Sequence, residues 1–166
     1  MYSYRTLNLS GLLVCIASLL FAVFYLERVL YLDPCPLCIL DRVVLVALGL
    51  VFAIALAHNP GPAFSRFYGL LASALSLTGV GRAARHIWLQ ALPANEVPAC
   101  GPDLYFMLET LPVLDTIRTI LMGSGSCAEI QWTLAGLTLP QQTLLLFAGL
   151  LALSVILTLK PRKSYQ

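Results

Sequence analysis

The chain has 166 residues, of which 59% are hydrophobic and 11% charged. Soluble domains carry about 25% charged residues, so the composition excludes a soluble core of this size, and the length fits one domain. A net charge of +2, with lysine only at Lys160 and Lys163, provides no basic stripe and leaves no case for nucleic-acid binding.

Residues 9–26 carry no charge, and a first membrane span is predicted over about 9–28. A crossing needs roughly 20 residues, with tolerance down to about 17. Arg5 precedes this run as it would in a signal peptide. The run is too long for such a segment, however, and Glu27-Arg28-Val29-Leu30 offers no small-residue cleavage site. An uncleaved helix is the better reading, with Cys15 a buried apolar residue inside it. A short loop follows, about 29–37. A second span is predicted over 38–57, in which residues 43–57 are uncharged. Asn59-Pro60-Gly61-Pro62 is strong helix-stopping chemistry and makes spans two and three antiparallel neighbours. His58 beside it reads as an exposed loop residue. The third span, about 66–85, is the weakest, because Gly69, Ser73, Ser76, Thr78 and Gly79 dilute its apolar character.

A long second loop, about 86–140, is read as mostly irregular around Pro93, Pro98, Gly101 and Pro102. Residues 112–122 differ. Val113, Leu114, Ile117, Ile120 and Leu121 recur at helical spacing behind Pro112, which predicts a short amphipathic helix lying on the membrane surface. Gly123-Ser124-Gly125-Ser126 then reads as a hinge before Cys127. Pro140 marks the start of the fourth span, about 141–159, with Gln141-Gln142 at the membrane surface. Tyr25, Tyr31, Trp88 and Trp132 lie near the predicted boundaries as an aromatic belt. The fold class is therefore an all-α membrane protein: a four-helix transmembrane bundle with a short surface helix in its second outer loop.

Four spans put both termini and the 57–66 turn on one side. That side holds Arg5, Arg66, Lys160, Arg162 and Lys163 and none of the eight acidic residues. Lys and Arg counts tie at five a side, but Arg28, Arg42, Arg82 and Arg85 sit at helix ends, where anchoring or function explains them. The basic tail then marks the termini as cytoplasmic. Cys35, Cys38, Cys100 and Cys127 fall on the opposite, oxidising side, where disulfide chemistry belongs.

Cys35-Pro36-Leu37-Cys38 is the usual unit for two-electron thiol exchange. Cys38 falls in the first turn of the second helix, where free N–H groups and the helix dipole favour a thiolate. Arg42, four residues on, shares its face and can support a thiolate or a neighbouring oxyanion. Asp41 is a candidate to position Arg42. A structural disulfide or a zinc site completed by Cys100 and Cys127 are the competing readings. Four cysteines allow three connectivities. Two-residue spacing favours Cys35–Cys38, leaving Cys100–Cys127 as a structural staple or a redox pair. His86, near Arg82 and Arg85, is an interfacial histidine or a hydrogen-bonding and proton-relaying partner for a quinone carbonyl.

These residues resemble the bacterial disulfide bond formation protein B (DsbB) family of inner-membrane thiol:quinone oxidoreductases. Cys35-Pro36-Leu37-Cys38-Ile39-Leu40-Asp41-Arg42 and Gly125-Ser126-Cys127-Ala128-Glu129-Ile130-Gln131-Trp132 carry the likeness, with His86, Cys100 and Pro140-Gln141. The resemblance implies that Cys100 forms a mixed disulfide with a periplasmic DsbA-type thiol oxidase. It implies that Cys35 exchanges with Cys127 and that Cys38 contacts a membrane quinone, ubiquinone or menaquinone, from the quinone pool. Arg42 would support that quinone, His86 would lie near its headgroup, and Asp41 stands where the family often has Glu. The implied setting is the lipid bilayer of the bacterial inner membrane, with redox cysteines periplasmic. The alternatives are a four-span protein with structural disulfides or zinc, and a bundle similar to vitamin K epoxide reductase, which usually places its C-x-x-C near the last span.

Overall fold

The computed structural model describes residues 3–58, 60–93, 96, 112 and 125–159. Four long helices dominate it. Helix α1 spans Tyr4–Leu20 and continues without a break as a π-helical segment, Phe21–Val29. Helix α2 spans Pro36–His58, α3 Pro62–Gln90 and α4 Leu139–Leu159. Three of these stretches, Tyr4–Val29, Pro36–His58 and Leu139–Leu159, are long and apolar enough to cross a membrane. Apart from Pro112, the predicted surface helix over 112–122 lies outside the described residues.

Helix α3 is 29 residues long but less apolar than α2 and α4, and its burial pattern explains why. Its buried residues are Ser65, Gly69, Ala72, Ser76, Gly79, Ala83, His86 and Leu89. Up to His86 they recur at alternating intervals of four and three, which keeps one narrow seam turned to its neighbours. The seam is small because helices in lipid associate through close van der Waals approach rather than through exclusion of water. A Cβ on Gly79 would sit 2.4 Å from the Phe147 ring, and one on Gly69 would sit 2.9 Å from the Thr158 backbone nitrogen. Three of the five residues that weaken the third span in sequence, Gly69, Ser76 and Gly79, lie in this seam, and the two glycines are where α3 and α4 touch. On the other side of the bundle Gly11 of α1 faces the Phe52 ring of α2, and Gly49 faces Cys15, which is fully buried.

The π-helical segment ends where Leu30 N–H bonds to the Tyr25 carbonyl, five residues back. Tyr31 then takes φ 53°, and Leu32 N–H closes on the Leu26 carbonyl, turning the chain toward α2. At the other boundary Gly61 precedes Pro62 at the start of α3, the position where a missing N–H costs nothing.

Before α4 a two-strand hairpin pairs Thr133 with Thr138 and Leu134 with Leu137. Its turn residues Ala135 and Gly136 have φ 53° and 79°, both left-handed, as a two-residue hairpin turn requires. Glycine adopts this region at no steric cost whereas alanine does not. Ala135→Gly is therefore expected to stabilise the hairpin by up to about 1 kcal/mol, read as a higher midpoint in thermal unfolding in detergent. Gln141 Oε1 accepts the Thr138 N–H at 2.9 Å, half of a capping box at the start of α4.

Candidate active site

Cys35 is the residue immediately before α2, in the N-cap position, and Cys38 is the third residue of the helix. The Cys38 N–H points at Cys35 Sγ, 3.4 Å away, as an N-cap side chain normally receives it. The helix terminus therefore presents this N–H to Cys35, whereas the sequence suggested Cys38 as its beneficiary. The Sγ atoms of Cys35 and Cys38 are 2.9 Å apart. A single helical turn, Gly125–Ala128, carries Cys127 onto the same spot, and His86 reaches it from the last turns of α3.

The ligating atoms of Cys35, His86 and Cys127 all lie within 4.8 Å of one another. All three residues are buried, at 6%, 4% and 0% exposure. Leu37 and Leu89 pack around the sulfurs, with Leu92 at the edge, and seal the cluster from water. His86 Nε2 lies 3.0 Å from the Cys127 carbonyl oxygen and 3.9 Å from Cys35 Sγ. A carbonyl only accepts, so Nε2 carries the proton and presents it toward the Cys35 sulfur as well. Hydrogen bonds to the Cys127 and Cys38 sulfurs, and burial, hold the Cys35 thiol above its ordinary pKa. Cys35 therefore stays protonated when the cluster is reduced. Cys15, Cys35 and Cys38 are free thiols in this structure.

Two arginines frame the first turns of α2. Arg82, one turn before His86 on α3, donates to the Leu37 and Leu40 carbonyls at 2.9 Å each. It also forms an ion pair with Asp41 at 2.9 Å. The guanidinium N–H groups aim at the carbonyls rather than at Asp41 Oδ1, so the carboxylate contact is electrostatic rather than an aligned hydrogen bond. Arg42 points to the other side, where it pairs with Glu27 and approaches the Ala22 carbonyl, both in the π-helical segment.

Between α1, α2 and α4 lies a cavity of about 400 Å³. Apolar side chains such as Phe21, Leu26, Leu45 and Leu146 make most of its wall, with Asp41, Arg42 and Gln142 as polar groups. The volume falls within the 300–1,000 Å³ of small-molecule sites. A second cavity of about 10 Å³, room for one water or ion, is lined by Cys35, Cys38 and His86 among others. Cys38 belongs to both walls.

The chain that builds this arrangement has relatives in sequence. A sequence-family model described as disulfide bond formation protein DsbB matches residues 4–157. Proteins named disulfide bond formation protein B are similar along nearly the full length. That of Nitrosococcus oceani is 46% identical over 153 residues, covering 91% of this chain and 90% of its own. That of Acinetobacter baumannii is 49% identical over 152 residues, covering 90% and 87%. That of Saccharophagus degradans is 42% identical over 153 residues, covering 92% of each. The chain belongs to the DsbB family.

As a DsbB-family protein it is a redox-active, disulfide-generating membrane oxidoreductase whose family role implies a thiol oxidase as partner. The structure gathers Cys35, Cys38, His86 and Cys127, while Cys100 lies outside the described residues. His86 sits with the sulfurs and lines the small cavity, not the larger one. Asp41 lines the larger cavity but pairs with Arg82, and Glu27 is the carboxylate that holds Arg42. Gly125 and Ser126, read as part of a hinge, open the helical turn that carries Cys127. Glu27 and Arg82 were not singled out as site residues from sequence. The signal for each was a charge at the edge of an apolar run, which membranes tolerate only with a partner.

Proposed function

We propose that this protein reoxidises a periplasmic DsbA-type thiol oxidase and passes the electrons to a membrane quinone, with its termini in the cytoplasm and its thiols at the periplasmic end of the bundle in the bacterial inner membrane. The position of Cys38 carries this reading. Its sulfur is in contact with Cys35 in the sealed cluster, and the same residue forms part of the wall of the 400 Å³ cavity.

The cavity suits a quinone ring: it is mostly apolar, and Arg42 offers N–H donors for a carbonyl oxygen. Asp41, Gln142 and Thr143 supply further polar contacts among the lining residues. A bound quinone supplies a two-electron, two-proton acceptor. The chain's own residues account for the remaining steps. In the oxidised enzyme Cys100 and Cys127 form one disulfide, and Cys35 and Cys38 the other. A thiolate of the partner attacks Cys100 Sγ, and Cys127 leaves as a thiolate. The partner's second thiol resolves the mixed disulfide, so the partner is oxidised and Cys100 is released reduced. Cys127 attacks Cys35, which lies beside it, and Cys38 leaves as a thiolate at the cavity wall. His86 Nε2–H faces both the Cys127 carbonyl and Cys35 Sγ and steadies charge on Cys35 during this exchange. Cys100 then displaces Cys35 from Cys127, restoring the first disulfide. The Cys35–Cys38 bond would close as two electrons leave through Cys38, with one proton given up by the Cys35 thiol and the second taken from solvent.

Reconstituted protein is expected to turn over with reduced DsbA-type oxidase and either ubiquinone or menaquinone. Cys100→Ser should stop turnover with the protein partner. Undiminished turnover in that variant would remove the proposed entry point. Arg42→Leu should raise the quinone KM about 10- to 100-fold, the worth of a hydrogen bond to a charged group, with the partner's KM unchanged.

A further inference from the structure

The thiol cluster has a second chemistry that the electron relay does not use. Cys35, Cys38, Cys127 and His86 form a Cys₃His set, one of the standard ligand sets of tetrahedral zinc. They come from three separate places in the chain: the N-terminus of α2, the end of α3 and the turn Gly125–Ala128. With metal–sulfur bonds of about 2.3 Å, the edges of such a tetrahedron are about 3.8 Å. The Cys35 Sγ to His86 Nε2 separation is 3.9 Å, and the Cys35, His86 and Cys127 ligand atoms all fall within 4.8 Å. Cys38 Sγ, 2.9 Å from Cys35 Sγ, lies outside that three-residue group, so completing the tetrahedron requires the Cys35–Cys38 pair to open by about 1 Å and Cys38 to turn toward His86 and Cys127. The 10 Å³ cavity beside Cys35, Cys38 and His86 admits one ion and no more.

We propose that the fully reduced protein captures one soft divalent cation of the zinc–cadmium class in this cluster. Cys35, Cys38 and Cys127 bind as thiolates, and their three protons are released. His86 binds through Nε2, with its ring proton moved to Nδ1, so that it exchanges its bond to the Cys127 carbonyl for the metal. The oxidised protein has no such site, because a Cys35–Cys38 disulfide removes two ligands at once. The capture stands on geometry alone. Its consequence, arrest of the reduced enzyme because Cys35 and Cys127 are tied to the ion, rests on the proposed thiol relay.

The test uses full-length protein in detergent, reduced anaerobically with a non-thiol phosphine and titrated with Co²⁺. One equivalent should give the intense visible bands of tetrahedral cobalt and a sulfur-to-cobalt charge-transfer absorption. About three protons should be released per ion, and Zn²⁺ should bleach the spectrum. Oxidised wild type should show neither change, a comparison that requires no substitution. His86→Gln and Cys127→Ser should each weaken binding by more than the roughly 10–100-fold typical of a residue that only supports a ligand. Cys15→Ala and Cys100→Ser should leave it unaltered. A weak octahedral spectrum, equal binding by oxidised and reduced protein, or unchanged affinity in His86→Gln would overturn the assignment. Because the readout is spectroscopic, quinone reduction can fail or succeed independently of it.

Discussion

Arg82→Met is expected to cost the bundle about 3–5 kcal/mol, since it leaves Asp41 as a buried charge without its counterion. Both side chains are largely buried, at 15% and 10% exposure, so solvent screens the pair little. The loss also removes two hydrogen bonds to the Leu37 and Leu40 carbonyls, which tie the first turns of α2 to α3. Those turns hold Cys38 against Cys35 and the cavity, so activity should fall before the fold is lost. The double variant Asp41→Asn with Arg82→Met should recover the part of the loss that comes from the orphaned carboxylate, while the part from the two lost hydrogen bonds remains. Unfolding followed by helical signal in mixed detergent gives the four corners of that cycle. A double variant as unstable as Arg82→Met alone would show that the ion pair is not the source of the loss.

A second large effect is expected in the seam between α3 and α4. Gly79→Ala puts a methyl group 2.4 Å from Phe147, whose ring is fully buried and has nowhere to go. Overpacking of this kind costs about 1–3 kcal/mol. Gly81→Ala, two residues along the same helix, meets nothing within 4 Å. There the better helix propensity of alanine is the only change, worth up to about 1 kcal/mol in the opposite direction. Two identical substitutions should thus differ in sign, and thermal midpoints of the purified variants in one detergent decide it. Equal effects would mean that α3 does not approach α4 through this seam.

The cysteine motif, the helix it opens and the neighbouring Arg42 were legible because each depends on local spacing. What failed in sequence depended on direction. Asp41 adjoins Arg42, but residues one apart on a helix point about 100° apart and do not face each other. Asp41 therefore turns to Arg82 of α3, and Arg42 turns to Glu27 of the preceding segment. The π-helical stretch that carries Glu27 has no compositional mark, since Phe21–Val29 is as apolar as an ordinary span would be. The small residues of α3 were visible, yet they read as weakness in a span. Only the partner surfaces, Phe147 and Thr158, give them meaning. The hairpin before α4 escaped because Ala135-Gly136 lacks the Asn-Gly or Asp-Gly signature of a two-residue turn.

The path of electrons out of the cluster is open to one direct measurement. Protein reduced beforehand, freed of reductant and mixed anaerobically with one equivalent of quinone needs no partner oxidase. Wild type and Cys100→Ser should each consume the quinone and form the Cys35–Cys38 disulfide in a single turnover, whereas Cys38→Ser should leave the quinone untouched. Quinone reduction by Cys38→Ser at the wild-type rate would contradict an exit through Cys38.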